Sequence, residues 1–362
     1  MHSVPHPPPP FPHVVSEFPE LWPTGYRNRA RALGPGNPLL RSVVAHPGED
    51  LPDPEGSTDP TGETLLSPLP YLVRKHRDRA LVLVTSRCFI HCRFCFRRGQ
   101  AERLPQAPGP AAWGSILDWL IEHPEVKEVI LSGGDPLTLS DRELALIAAD
   151  LAASPHLRRW RIHTRAPIVE PGRVTAALTR LLGNGLPLRV VLHANHPAEL
   201  VPEARRALRT LRAGGVELAN QAVLLRGVND HPRILLELLG HLTEEGVEPY
   251  YLHHPDRARG NRRFRVSIRQ GRQIYRALVS NAETNGQQLR VPPYVLDLPN
   301  GCGKSPAENL RPVCTERSSE SIRTRYRWHR PADWDSAVAA DTSEWWDIWE
   351  AASPDSRCRL DP

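Results

Sequence analysis

Six short apolar runs, each followed by an amphipathic stretch, recur between residues 80 and 282 of this 362-residue chain. The runs lie at 80–85, 128–132, 160–163, 188–193, 220–225 and 249–253, and after the first interval they are about 30 residues apart. The stretches between them carry helical periodicity near 112–122, 141–153, 172–182, 202–214, 232–245 and 267–282. Units of this size predict an α/β fold with a parallel sheet, open or curled into a partial (β/α)6 barrel. In such sheets chemistry gathers at the carboxyl ends of the strands. The cysteines after the first run, Gly133-Gly134-Asp135 after the second and His193 after the fourth all fall at such ends.

The pattern frames three regions. Residues 1–72 are rich in Pro and Gly, with turn signals such as Gly34-Pro35-Gly36-Asn37-Pro38, and predict an irregular arm with one or two short helices and a disordered start. Residues 73–290 hold the repeated core, and 291–362 a loop around Lys304 and a tail carrying Trp328, Trp334, Trp345, Trp346 and Trp349. The tail is expected to serve docking or dimerisation.

Three of the six cysteines sit together, as Cys88, Cys92 and Cys95, directly after the first strand. Three thiolates on one short loop can hold three irons of a 4Fe–4S cubane and leave the fourth open to a small molecule. Flanking Arg87, Arg93, Arg97 and Arg98 are expected to offset the negative charge of the thiolates. Structural zinc with His91 as fourth ligand is the alternative, although zinc sites usually show two more widely separated ligand pairs. Clustered cysteines also argue against a secreted disulfide framework. No apolar run approaches the roughly 18 residues of a membrane span, and the N-terminus lacks the signal-peptide pattern, so a cytoplasmic enzyme is expected.

The formal charge is +5, but acids and bases are interspersed and no five basic residues are consecutive, so the surface predicts no nucleic-acid partner. Lysine is scarce: Lys75, Lys127 and Lys304 are the only ones, and the other 43 of the 46 basic residues are arginine. A lysine in such a chain is the more notable where a primary amine is needed, because arginine cannot form a Schiff base. Lys304 lies in Gly301-Cys302-Gly303-Lys304, where glycines let the backbone pass close to a ligand. An ordinary surface lysine is the competing reading.

The C-x3-C-x2-C spacing with Phe94 before the third cysteine resembles the radical S-adenosylmethionine (SAM) superfamily. The resemblance implies that the open iron chelates SAM and that Leu131-Ser132-Gly133-Gly134-Asp135-Pro136 is the turn that contacts the SAM amino group. Over roughly residues 60–310 it sharpens to the lysine 2,3-aminomutase family, through 79–98, 131–135, 161–167, 193–197, 220–230, 249–256 and 297–304. That resemblance implies pyridoxal phosphate (PLP) on Lys304 and the substrate carboxylate on Arg97. It implies the side-chain ammonium of lysine between Asp256 and Asp297, His193 and Gln221 beside SAM, and Lys75 and Arg165 at the PLP phosphate. The implied reaction moves the 2-amino group of lysine to carbon 3 and draws its electron from a reductase such as a flavodoxin or ferredoxin.

The match departs in two places. Family members carry a C-terminal cysteine group that binds zinc with a neighbouring subunit; here only Cys314 and Cys358 remain, far apart, which argues against zinc and leaves a homo-oligomer open. Asn300 and Cys302 also stand where the family loop prefers glycine. The sister branch, whose β-lysine is attached to elongation factor P, resembles the first half closely, but Asp297 and the Gly-rich loop favour the free-lysine mutase. A mutase for another amino acid, and a non-catalytic Fe–S or nucleic-acid-binding protein, are the remaining alternatives.

Overall fold

A computed structural model of the chain describes residues 18–99, 107–284, 289–298, 301, 303–317, 321–329 and 342–350. Its centre is a nine-stranded sheet in simple order. The strands are β1 (Leu72–His76), β2 (Arg79–Thr85), β3 (Glu128–Gly133), β4 (Arg159–Thr164), β5 (Leu188–Leu192), β6 (Glu217–Val223), β7 (Glu248–His253), β8 (Tyr294–Leu298) and β9 (Gly303–Pro306). Strands β2 to β8 are parallel, while β1 and β9 pair antiparallel at the two edges.

Two short helices, α1 (Thr24–Ala32) and α2 (Pro38–Val43), belong to the arm. The crossovers use α3 (Pro110–Glu122), α4 (Asp141–Ala153), the single turn α5 (Ala166–Val169), α6 (Ala176–Gly183), α7 (Pro202–Ala213), α8 (Pro232–Glu244) and α9 (Ile268–Thr284). Their starts follow from local chemistry. Proline opens α3, α7 and α8, where a missing N–H costs nothing. Ser140 and Glu143 form a reciprocal capping box on α4. Strand β3 is buried at Glu128–Ser132, as a strand covered on both sides must be.

The six predicted units are present, with local differences. The counterpart of the fifth run, β6, begins at Glu217 rather than 220, because Leu218 and Ala219 are buried as well, and it ends at Val223. The stretch 172–182 is interrupted: after the single turn α5 comes a 3-10 turn at Pro171–Arg173, and α6 starts on the Thr175 side-chain cap. The sheet does not stop at 290: β8 and β9 carry it on, so the Lys304 segment belongs to the barrel wall. In the tail, β10 (Arg311–Arg317), β11 (Ser321–His329) and β12 (Thr342–Glu350) form a separate antiparallel sheet. Trp328 lies on β11 and Trp345, Trp346 and Trp349 on β12. The start of the arm (1–17), Asn300, Cys302, Trp334 and Cys358 lie outside the described residues. Among the described residues no helix is long and apolar enough to cross a membrane.

Candidate active site

The cysteine loop leaves β2 at Thr85 and is stitched to the end of β3. Gly134 N donates to Thr85 O at 2.6 Å and Asp135 N to Arg87 O at 2.7 Å. The approach is so close that a Cβ on Gly133 would sit 2.2 Å from Thr85 O, and one on Gly134 2.1 Å from Arg87 O. Gly133 also has φ of +115°. Only glycine satisfies both demands. The Asp135 carboxylate joins the next strand: it accepts from Thr164 Oγ1 at 2.6 Å, Arg165 N at 2.8 Å, Ala166 N at 3.0 Å and Leu137 N at 3.0 Å. The Gly-Gly-Asp turn therefore fixes the ends of β2, β3 and β4 together.

Cys88, Cys92 and Cys95 are unbridged. Burial, then the neighbouring thiols, raise the Cys88 and Cys95 pKa values, the latter to about 11. Cys88 and Cys95 hold their protons until a soft cation takes their place, which suits an iron–sulfur cluster. Among the described residues no three Cys, His, Asp or Glu side chains converge as ligands of a single ion. The flanking Arg97 and Arg98 lower the Cys95 pKa against its burial, as expected of them, and each also has a carboxylate partner. Arg93 and Arg98 pair with the buried Glu49 of the arm, and Arg97 with Glu63. The guanidinium that meets a cysteine is Arg165, whose Nη1 lies 2.6 Å from Cys92 Sγ while Nη2 pairs with Glu199. Both ends of Arg165 are thus engaged beside the cysteines.

Deeper in the barrel, Gln221 Nε2 and His193 Nε2 are 2.8 Å apart. Burial, then His253, pull the His193 pKa down to about 3, so its imidazole is neutral.

A second group of charges lies on β1, β7, β8 and β9. Lys304 Nζ donates to Asp297 Oδ2 at 2.6 Å, and His253 Nδ1 stands 3.3 Å from the same oxygen. Burial raises the Asp297 carboxyl, but Lys304 and then His253 outweigh it and hold it well below the usual range. The charge of Asp297 falls in turn on Asp256, which burial and that neighbour push up to about 7. Lys75 contributes to the field at both aspartates and lies 4.0 Å from Glu63 Oε1. Tyr251 turns its ring toward Lys304, with Nζ 5.5 Å from the centroid.

Residues 82–239 match the Radical SAM superfamily. The L-lysine 2,3-aminomutase of Escherichia coli strain K12 is 41% identical over 262 residues, 71% of this chain and 75% of that protein. This chain belongs to the lysine 2,3-aminomutase family of radical SAM enzymes. The L-lysine 2,3-aminomutase of Haemophilus influenzae is 40% identical over 250 residues, covering 68% of this chain and 73% of its own. A glutamate 2,3-aminomutase of Clostridioides difficile is 32% identical over 267 residues, 74% of this chain and 62% of that one.

As a radical SAM enzyme of this family, the protein uses a 4Fe–4S cluster and SAM. The structure brings Lys304, Asp297, Asp256 and Lys75 into one electrostatic group, with Arg97 linked to it through Glu63. It sets His193 and Gln221 together and places Arg165 beside the cysteines. Three participants had no sequence signal. Glu49 and Glu63 are acids in an irregular arm, and His253 is the last residue of an ordinary strand. Their roles come from partners 44, 34 and 44 residues away.

Proposed function

We propose that this aminomutase acts on L-lysine, shifts its 2-amino group to carbon 3 with PLP carried on Lys304, and releases β-lysine. The observation that carries the reading is the opposition of Lys304 and Asp297, with Asp256 close enough to feel the same charge. Such a carboxylate pair favours a substrate with a distal ammonium and repels one with a distal carboxylate, such as glutamate.

When bound, SAM and PLP supply a carbon radical for hydrogen abstraction and a conjugated ring that spreads an unpaired electron. The remaining work falls to the chain. Cys88, Cys92 and Cys95 would hold the cluster, and the Gly133-Gly134 turn and the His193–Gln221 pair would form the surroundings of SAM. Lys304 supplies the amine that anchors PLP. Its departure from Asp297 frees that carboxylate, and with Asp256 it receives the ammonium of the substrate. Arg97 takes the substrate carboxylate, and Lys75 is the cation for the cofactor phosphate. A small iron–sulfur or flavin reductase in the cytoplasm supplies the electron.

The test is to incubate the anaerobically reconstituted, reduced enzyme with SAM, PLP and either L-lysine or L-glutamate. β-Lysine from lysine and no β-glutamate are expected; the reverse overturns the substrate assignment. Borohydride should fix PLP to the wild-type chain and not to Lys304→Ala. Equal labelling of both would remove Lys304 from its role.

A further inference from the structure

One turn of the arm, residues 59–67, delivers a carboxylate to Arg97. Asp59 holds the turn: its Oδ1 accepts from Glu63 N at 2.9 Å and its Oδ2 from Thr64 N at 2.8 Å. Ser67 Oγ donates to Glu63 O at 2.7 Å, and Gly62 supplies the left-handed step with φ of +66°. Just before the turn, Ser57 N donates to Arg257 O at 2.8 Å and Arg259 N to Ser57 O at 3.0 Å, which ties the arm to the loop of Asp256. On the other side Gly301, in the Lys304 loop, packs so closely that a Cβ there would lie 2.7 Å from Leu66 Cδ1. Glu63 is therefore built onto a segment braced at both ends.

Its partner is nearly saturated. A guanidinium has five N–H groups. Arg97 Nε donates to Glu63 Oε2 at 2.9 Å and Nη2 to Glu63 Oε1 at 2.8 Å. Nη1 donates to Ser132 Oγ at 3.0 Å and to Gly133 O at 3.2 Å. Phe96 lies against the guanidinium, 4.5 Å from ring centroid to Cζ. One N–H, on Nη2, has no partner among the described residues. Burial opposes charge on Glu63, but Arg97 outweighs it, so the pair is ionic.

We propose that Glu63 is a positioning residue for the amino-acid carboxylate: it fixes the plane of Arg97, offsets its charge and leaves a single N–H to meet the substrate. The inference rests on the reading that Arg97 receives that carboxylate. A two-pronged grip would require Arg97 Nη1 to give up Ser132 Oγ or Gly133 O, or Glu63 to leave Arg97, and the braced turn resists the latter. Substrate and product are then oriented by Arg97 without being held tightly. Tight holding of both would lower KM without raising kcat.

The test uses the PLP-loaded, unreduced holoenzyme, in which binding is followed by the cofactor absorbance without turnover. Glu63→Gln keeps the shape, returns full charge to Arg97 and frees one more N–H. It should tighten L-lysine at low salt by roughly tenfold. It should leave 1,5-diaminopentane, which is lysine without the carboxylate, unchanged. Glu63→Asp, which keeps the charge, should restore the wild-type preference. The inference is overturned if Glu63→Gln binds lysine as wild type does, if both ligands shift together, or if Glu63→Asp behaves as Glu63→Gln. In a separate arm, Arg97→Lys should weaken lysine and spare the diamine. No change in lysine affinity there removes Arg97 from carboxylate binding, and the role of Glu63 with it; a loss in Arg97→Lys with no effect of Glu63→Gln leaves Arg97 in place and rejects Glu63 alone.

Discussion

Asp297 and Lys304 are directly opposite each other in the antiparallel β8–β9 pair, and their side chains meet at 2.6 Å. The register makes the amine expected to carry the cofactor the resting counter-ion of a carboxylate expected to bind the substrate. One residue cannot be engaged without changing what the other faces.

Asp297→Asn separates these two duties. An amide keeps a weak hydrogen bond to Lys304 but cannot hold a distal ammonium as an ion pair. Borohydride-fixed PLP should remain, while KM for lysine rises by roughly tenfold or more. Loss of PLP labelling in this variant would place Asp297 in cofactor capture instead.

Asp256 predicts a pH dependence of the cofactor-free protein. Its folded pKa is pushed up to about 7, against about 3.9 for an unfolded aspartate. The folded state therefore keeps the proton longer. Its stabilising effect is complete below the unfolded value and fades as pH rises through about 7. Asp256→Asn should raise Tm by roughly a few degrees above that range and change little below about pH 4. A constant Tm difference across the range would contradict the assignment.

Gly134→Ala places a methyl group against Arg87 O and the Ser86 carbonyl carbon, 2.1 Å and 2.7 Å from the ideal Cβ position. Backbone cannot yield as a side chain can, so the cysteine loop must move. Iron retained after anaerobic reconstitution, and the cluster absorbance near about 400 nm, should fall several-fold. Wild-type iron content would show that the loop tolerates the displacement.

Glu128→Ala provides the contrast, because it breaks a buried pair away from the cysteine loop. Glu128 opens β3 and accepts from Arg161 Nε at 3.2 Å and Nη2 at 2.9 Å, and Arg161 Nη1 donates to Tyr250 OH at 3.1 Å. Removing the acid leaves a buried guanidinium without its counter-charge and should cost about 3–5 kcal/mol in denaturant unfolding. Lysine affinity of the surviving folded enzyme should be unchanged.

The β/α alternation was legible because each unit writes its own signature: a short apolar run for a strand covered on both sides, a 3.6-residue period for the helix. The cluster loop was legible for a similar reason, since its three cysteines lie within eight residues. Lys304 stood out by scarcity and by its glycine neighbours. These features are local, and the chain determined them before any long-range contact formed.

The tertiary structure decided who faces whom. Arg97 and Glu63 are 34 residues apart and Arg165 and Cys92 are 73 apart. No spacing rule joins them; the arm turn and the order of strands around the sheet do. The same physics explains the tail, where aromatic and charged residues are mixed along β11 and β12 and pairing alone reveals three strands. Local sequence sets which elements form, because backbone and neighbouring side chains compete within a few residues. Charge partners are chosen only after the sheet has closed most of the way round and removed water from between them.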